Sequence, residues 1–223
     1  MNVRNTILKQ IGTPGARIAR KQNIFAARLR GTMQRGTAPF ALLLLAALAS
    51  PSFGAAYTLE LKPEATKIRW TLGDVLHTVN GTFKLERGAI EFDPETGKAS
   101  GQVVVNVASG DSGSEARDSR MHANVLESKK FGEATFVPDR VEGALAVPGA
   151  SNVKLHGTFT IHGVAHEMMM DAQATTTAEQ IHATISFDVP YVSWGMKDPS
   201  NILLKVNKAV KVSVDVSGSL QKR

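Results

Sequence analysis

The sequence contains no cysteine. This absence excludes disulfide bonds, thiolate catalysis, iron–sulfur clusters and cysteine-based zinc sites. It also excludes the lipid anchor of bacterial lipoproteins, because that anchor is attached to a cysteine at the start of the mature chain. The chemistry of the protein must therefore come from other side chains.

Acidic residues are absent from the first 56 positions, which carry eight Lys and Arg side chains. The apolar run Phe40–Ala49 follows this basic segment, and small residues follow the run up to Ala56. A basic segment, a short apolar run and small residues in this order are typical of a secretory signal peptide. We therefore predict that residues 1–56 are a cleaved signal peptide, with Met33 as an alternative translation start, and that the mature chain begins near residues 55–57.

Removal of this segment changes what the composition implies. The 26 Lys and Arg of the whole chain fall to 18 in the mature part, against 20 Asp and Glu, so its net charge is about −2. Nucleic-acid binding is disfavoured, because it requires clustered cations. The apolar run has only ten residues, whereas a membrane-spanning helix needs roughly 20. We therefore expect a single periplasmic domain, 57–219, with no stable membrane anchor.

From Tyr57 onward, apolar and polar residues alternate in short segments. Alternation with period two predicts half-buried strands, and many short strands joined by turns predict an antiparallel sandwich or barrel. The alternating segments are 57–61, 68–72, 90–92, 103–107, 159–161, 181–189 and 210–216. Turn-forming residues separate them at Asn80-Gly81, Asp93–Gly97, Pro148-Gly149, His162-Gly163 and Asp198–Ser200.

One segment departs from this alternation. Ser112 and Glu115 have the spacing of a capping box, which marks the start of a helix. The residues from Ala116 to Leu126 contain no glycine or proline, and no β-branched residue before Val125. We predict one short helix inserted between strands. The charged cluster 115–118 is interpreted as local pairing that fixes this helix rather than as a group that polarises a substrate.

Histidines and catalytic motifs give little support for a metal site or an enzyme. His162 and His166 are four residues apart, which suits metal binding on a helix, but Gly163 stands between them and the flanking residues alternate as strands. We therefore predict a structural turn there and no metal or other cofactor. The sequence contains no nucleophile elbow, no Walker motif and no dinucleotide-binding glycine motif.

Four strings in order, together with the strand pattern, resemble the YceI-like family. The strings are Gly81-Thr82-Phe83, Gly88–Pro94, Glu115–Asp118 and Gly157–Val164. The resemblance extends from Tyr57 to Gly218 and implies an all-β, lipocalin-like antiparallel barrel of about eight strands. It also implies export and a polyisoprenoid or similar long-chain lipid inside the barrel. The chain departs from the family pattern at 165–170, where three methionines occur. They either change the pocket or fill space.

The resemblance and the strand alternation together give a candidate ligand-binding set. Its members are Trp70, Phe83, Ile90, Phe92, Phe136, Phe159, Ile161, Phe187 and Trp194. The function implied is that of a periplasmic binding or carrier protein for a long-chain isoprenoid or similar amphipathic lipid. Two alternatives stay open: an enzyme acting on a small apolar substrate in the same cavity, and a stress-related periplasmic interaction protein. The sequence also leaves a homodimer open.

Overall fold

The computed structural model describes residues 56–73, 77–202 and 205–223. The predicted signal peptide, apart from Ala56, and the alternative start at Met33 lie outside these residues. The described part of the chain forms eight strands, one short α-helix and one π-helical turn. They are β1 (Tyr57–Gly73), β2 (Thr78–Phe92), β3 (Ala99–Asp111), α1 (Glu115–Arg120), the π-helical turn (Met121–Val125), β4 (Glu133–Glu142), β5 (Gly149–Ile161), β6 (Val164–Thr176), β7 (Gln180–Val189) and β8 (Val210–Lys222).

The strands form a closed antiparallel barrel in which each strand pairs with its neighbours in sequence order. β8 returns to β1, with a register that runs from Tyr57 opposite Lys222 to Thr71 opposite Lys211. Closure pairs both edges of every described strand, which removes the exposed edges through which sheets aggregate. The prediction of an all-β antiparallel barrel of about eight strands with one short inserted helix is confirmed.

β1 joins two segments that the alternation predicted separately, 57–61 and 68–72. Its register with β8 shifts between Leu61 and Thr66, which marks a β-bulge. The Thr66 hydroxyl donates a hydrogen bond to the Lys62 carbonyl oxygen at 2.8 Å within this bulge. The bulge also changes the parity of the inward side chains. Leu61 faces the barrel interior before the bulge, and Ile68 and Trp70 face it afterwards.

Two predicted turns are tight, and the structure shows why. The Asp93 carboxylate accepts hydrogen bonds from the Glu95 N–H and the Thr96 hydroxyl, both at 2.8 Å, and so closes the turn between β2 and β3. His162 and Gly163 have φ angles of 52° and 74°. Positive φ at both residues of a two-residue hairpin loop is the arrangement that matches the twist of the flanking strands. Both turn predictions are confirmed.

The predicted turn at Asn80-Gly81 is wrong, because both residues lie inside β2. Thr71 pairs with Asn80 and Trp70 pairs with Gly81 in the register of β1 and β2. A Cβ atom on Gly81 would lie 2.2 Å from Trp70 Cζ2 and 2.5 Å from the Asp111 carbonyl oxygen. The glycine is therefore required for close packing under the tryptophan ring and not for a turn.

The predicted helix forms, but it is shorter than expected and its cap differs. Ser114 is the N-cap of α1 and makes no side-chain capping bond. The predicted capping box is therefore wrong. The Ser112 hydroxyl instead donates to Asp118 Oδ1 and accepts from Arg117 Nε at 2.8 Å. The backbone then changes to the π-helical turn. Within the described residues, no helix is long and apolar enough to cross a membrane.

The packing at Gly81 gives a test of the fold. Gly81→Ala should lower the free energy of unfolding by about 1–3 kcal/mol, because its Cβ would displace the Trp70 ring and the Asp111 backbone. Urea denaturation measures this change. Gly132→Ala is the matched control, since the nearest atom to its Cβ would be the Ser128 carbonyl oxygen at 3.7 Å. Equal unfolding free energies for the two variants would contradict the packing described here.

Candidate ligand cavity

The barrel encloses a cavity of about 880 Å³. Inward-facing side chains from all eight strands line it, and nearly all of these are aliphatic or aromatic. Space remains because β4, β6 and β7 place small side chains on the inner face. The small inward residues are Ala134, Ala172, Ala174 and Ala183. A barrel of eight strands can be filled by large side chains or hold one small ligand, and these alanines leave the second option open.

Eight of the nine residues predicted from the sequence line this cavity. They are Trp70, Phe83, Ile90, Phe92, Phe136, Phe159, Ile161 and Phe187. The Phe159 and Phe187 rings meet edge to face, with centroids 5.9 Å apart. Trp70 and Phe83 also lie together, with centroids 6.5 Å apart. The alternation of the strands thus brings these side chains to one enclosed surface.

Trp194 does not line the cavity. It lies in the connection after β7, where backbone hydrogen bonds from Trp194 to Pro190 and from Met196 to Tyr191 form a turn. Its ring stacks on His166, with centroids 3.8 Å apart and planes 7° apart, and it packs against Phe159 at 6.1 Å. Strand parity does not apply to a turn, which is why the prediction failed for this residue.

Sequence reasoning missed other lining residues. Tyr191 and Met196 lie in the same turn as Trp194, are 4% and 3% exposed, and both reach the cavity. Because the two residues lie in a turn, no alternation of apolar and polar residues identifies them as cavity residues. The predicted set, which was mostly aromatic, also left out the valines of β3 and β8, although these lie on predicted strands. The alternation that predicted those strands also identifies the inward valines, which are Val103, Val105, Val107, Val210, Val212, Val214 and Val216.

The three methionines on β6 follow the strand alternation. Met170 is 4% exposed and lines the cavity, whereas Met169 is 41% exposed and points away from it. Met168 is half-buried and packs against the apolar cluster around Phe159. Only one of the three therefore contributes to the cavity wall.

The two ends of the cavity differ. The antiparallel order places α1, the His162-Gly163 turn and the β7–β8 connection at one end, which we call the α1 end. The opposite end is packed with apolar side chains. Tyr57 stacks on Phe92 there at 5.6 Å, and Leu145 and Val147 pack against the same cluster.

Polar side chains of the cavity wall are concentrated at the α1 end. They are Ser114, Arg117, Arg120, Asn124, Lys197, Asp198, Ser200 and Asn201. Arg117, Arg120 and Lys197 both border the cavity and are exposed, so the cavity reaches solvent at this end. Thr66 is the polar exception deeper in the wall, and its hydroxyl is already bonded within the β1 bulge.

Hydrogen bonds fix α1 at this end. Arg117 donates from Nη2 to the Ser112 carbonyl oxygen at 2.8 Å, in addition to its Nε bond to the Ser112 hydroxyl. Desolvation opposes the charge on Asp118, but hydrogen bonds from Ser112 and the nearby Arg117 outweigh it, and the pKa of Asp118 is lowered. The charged cluster thus bonds locally and anchors the helix start.

Tyr191 is the titratable side chain closest to the interior in this turn. Its hydroxyl donates a hydrogen bond to the Asn207 carbonyl oxygen at 2.9 Å. Burial, with a smaller contribution from the negative charge of Asp198, raises the pKa of Tyr191 to about 12. The phenol is therefore neutral at physiological pH and serves to hold the β7–β8 connection to the barrel.

The two histidines of the predicted turn have separate surroundings. His162 Nε2 lies 3.4 Å from Glu127 Oε2, and its ring packs on Phe131 with centroids 4.2 Å apart. His166 instead stacks on Trp194. Within the described part of the chain, no group of three or more His, Asp or Glu side chains is arranged to hold a metal ion.

Comparison with solved structures finds the same fold in proteins of several bacteria. A polyisoprenoid-binding domain from Saccharophagus degradans matches with a TM-score of 0.58 and 16% identity, over 74% of this chain and 98% of that chain. BcnA of Burkholderia cenocepacia matches with a TM-score of 0.59 and 17% identity, over 70% and 98%. A YceI protein of Campylobacter jejuni matches with a TM-score of 0.55 and 19% identity, over 65% and 86%.

At these identities the structural matches show the fold. A search among curated proteins finds no match. The model of the YceI-like domain matches residues 59–218, which is more than half of the chain and nearly the whole barrel. The chain therefore belongs to the YceI-like family.

Proposed function

We propose that the protein is a periplasmic carrier that holds a long-chain isoprenoid, or a similar amphipathic lipid, inside the barrel. The observation that carries this proposal is the cavity of about 880 Å³, which is apolar along the strands and polar at the α1 end. A volume of this size lies within the range of about 300–1,000 Å³ that is usual for ligand sites. This distribution of apolar and polar side chains in the cavity matches a ligand with an apolar tail and a polar head.

The physical basis of such binding is the hydrophobic effect. A long isoprenoid tail is insoluble in water, and burial of each CH₂ equivalent contributes about 0.8 kcal/mol. The aromatic and aliphatic wall can therefore supply most of the affinity without a specific polar contact. The eight predicted residues that line the wall are proposed as tail contacts, joined by Met170, Tyr191 and Met196.

The distribution of titratable groups favours binding over catalysis. Among the described residues, the titratable side chains of the cavity wall are Arg117, Arg120, Tyr191, Lys197 and Asp198, and all lie at the α1 end. An enzyme would place an acid or base with a shifted pKa beside the reacting part of its substrate. Tyr191 has a raised pKa but uses its hydroxyl to bond Asn207. Asp198 has a lowered pKa because Ser200 donates hydrogen bonds to its carboxylate, so this group is also engaged locally.

A relative supports the same class of ligand. The Saccharophagus degradans protein, which shares this fold, is described as a polyisoprenoid-binding domain. The basic, acid-free first 56 residues support export to the periplasm. A carrier between two membranes needs both properties, because the lipid has to cross an aqueous space.

Truncation of two cavity rings tests whether the interior is lined or filled. Phe→Ala in a packed core costs about 3–5 kcal/mol. Phe159→Ala and Phe187→Ala should each cost the lipid-free protein less than about 2 kcal/mol, since both rings already border empty volume. Both variants should also retain less lipid through purification. Chemical denaturation measures the first effect, and mass spectrometry of organic extracts measures the second.

Leu220→Ala is the control for this experiment. Leu220 is 3% exposed and packs in the apolar cluster at the opposite end without lining the cavity. The Leu220→Ala variant should have a free energy of unfolding about 2–5 kcal/mol lower than that of the wild type, as is usual when a core leucine is replaced by alanine. If the free energy of unfolding of the two lipid-free phenylalanine variants fell as much as it does for a packed core residue, the barrel interior would be filled and the proposal would be wrong.

Export with cleavage is tested by the mass of the mature protein. The intact mass after expression in a bacterium with a periplasm should correspond to a chain that starts near residue 55 or 57, because the small residues up to Ala56 suit the signal peptidase. Recovery of the protein in the membrane fraction, with the Phe40–Ala49 run still attached, would contradict the soluble-carrier proposal.

A further inference from the structure

Pairing between β6 and β7 covers only part of their length. The ladder between these strands ends at Asp171 opposite Ser186. β6 extends beyond this pair to Val164 and is paired there with β5 alone among the described strands. β7 extends to Val189 and is paired there with β8 alone. In this described part of the wall, therefore, no strand ladder joins β6 to β7.

The turn 190–196, which follows β7, covers the unpaired stretch. Trp194 of this turn stacks on His166 of β6, with ring centroids 3.8 Å apart and planes 7° apart. Tyr191 and Met196 of the same turn line the cavity, whereas Ser193 is exposed. One turn of the chain therefore separates the cavity from solvent at this part of the wall.

Side-chain packing holds this turn against β6. The hydrogen bonds of the turn are internal, as from the Trp194 N–H to the Pro190 carbonyl oxygen at 3.1 Å, or go to Asn207, which accepts from the Tyr191 hydroxyl at 2.9 Å. Among the described residues, none joins the turn to β6. His166 Nε2 is buried without a hydrogen-bond partner. The two rings can therefore separate without the loss of a hydrogen bond.

The backbone of the turn leaves room for movement. Gly195 has a φ angle of 90°, and no atom lies within 4 Å of the position that a Cβ would take. Glycine adopts such angles without steric cost, and hinges are usually a few loop residues that absorb a change in backbone angles. The bond from Tyr191 to Asn207 fixes the base of the turn. Trp194 lies between this fixed base and the glycine.

The side chains around the unpaired stretch are apolar. Met168, Met170 and Phe187 belong to one apolar cluster with Trp194. Met170 and Phe187 also line the cavity. An isoprenoid tail that crosses the wall here stays in contact with apolar side chains, which keeps it out of water.

We propose that the turn 190–196 is a side gate through which the lipid tail enters and leaves the cavity, a proposal that rests on the lipid-binding function above. In the open state the Trp194 ring leaves His166 and the turn moves away from β6, while Tyr191 stays bonded to Asn207. The tail then passes between β6 and β7. Opening breaks no strand pairing, so it requires less free energy than the separation of two paired strands.

A reversible bridge across the gate tests this proposal. The chain contains no cysteine, so an introduced pair is unique. In His166→Cys/Trp194→Cys, a bis-methanethiosulfonate reagent would link the turn to β6, and dithiothreitol would remove the link. The probe is geranylgeraniol, whose transfer between the protein and phosphatidylcholine vesicles is followed over time. The bridged protein should load and release it on the order of tenfold more slowly than the reduced protein. Its equilibrium affinity should be unchanged, because neither position lines the cavity.

The matched control places the same bridge where the ladder is intact. Thr175 and His182 are exposed and lie directly opposite each other on β6 and β7. The bridge in Thr175→Cys/His182→Cys should leave the transfer rates unchanged. Mass spectrometry confirms each bridge, and circular dichroism checks each fold.

Single substitutions distinguish the side gate from entry at the α1 end. Trp194→Ala should speed transfer by about twofold to tenfold, because it removes the ring stack that closes the gate. Phe131→Ala removes a comparable contact, the packing on His162 with centroids 4.2 Å apart, from the connection between α1 and β4. This second variant should transfer geranylgeraniol at the wild-type rate.

The outcomes separate the gate from the function on which it rests. Equal transfer rates of the bridged and reduced protein, or equal slowing by the control bridge, would overturn the gate and leave lipid binding intact. Faster transfer by Phe131→Ala than by Trp194→Ala would indicate entry at the α1 end and would also overturn it. Failure of the wild type to bind geranylgeraniol would overturn both proposals.

Discussion

The pairing of β8 with β1 is the constraint on which the rest of the structure depends. It closes eight strands into a barrel, and closure fixes an inside and an outside for every residue of each strand. The width of such a barrel permits either a filled core or a single ligand. The choice is made by small side chains, because Ala172, Ala174 and Ala183 line the interior and leave volume that larger side chains would fill.

The polarity of the cavity follows from the same antiparallel order. Successive connections alternate between the two ends, and the connections with α1 and with Tyr191 both fall at one end. Short turns and the Tyr57–Phe92 stack occupy the other end. Hydrogen bonds such as those between Arg117 and Ser112 hold the charged residues at this end. The apolar interior and the polar rim of the cavity therefore result from the lengths of the connections between strands and not from the sequence of any one strand.

The alternation predicted an antiparallel sandwich or barrel, the resemblance to the YceI-like family implied the barrel, and eight of the nine residues predicted for its wall line the cavity. Alternation succeeds on strands because it indicates both the strand and the direction of each side chain. It failed where position depends on tertiary contacts. Asn80-Gly81 was predicted to be a turn, but Gly81 lies within β2, where the absence of a side chain leaves room for the Trp70 ring. Trp194 was predicted to line the cavity, but its ring stacks on His166. Tyr191 of the same turn lines the cavity instead. β4 and β6 were not among the segments identified, since Pro138 and the polar residues of 164–176 obscure their alternation.

The central claim is that the cavity holds a lipid in the living cell. Native mass spectrometry of the protein purified from the bacterium that produces it naturally, followed by analysis of an organic extract, tests this most directly. The account predicts one long-chain isoprenoid or similar lipid per barrel, released when the protein is denatured. A native mass equal to that of the mature chain alone, with no long-chain lipid in the extract, would contradict it.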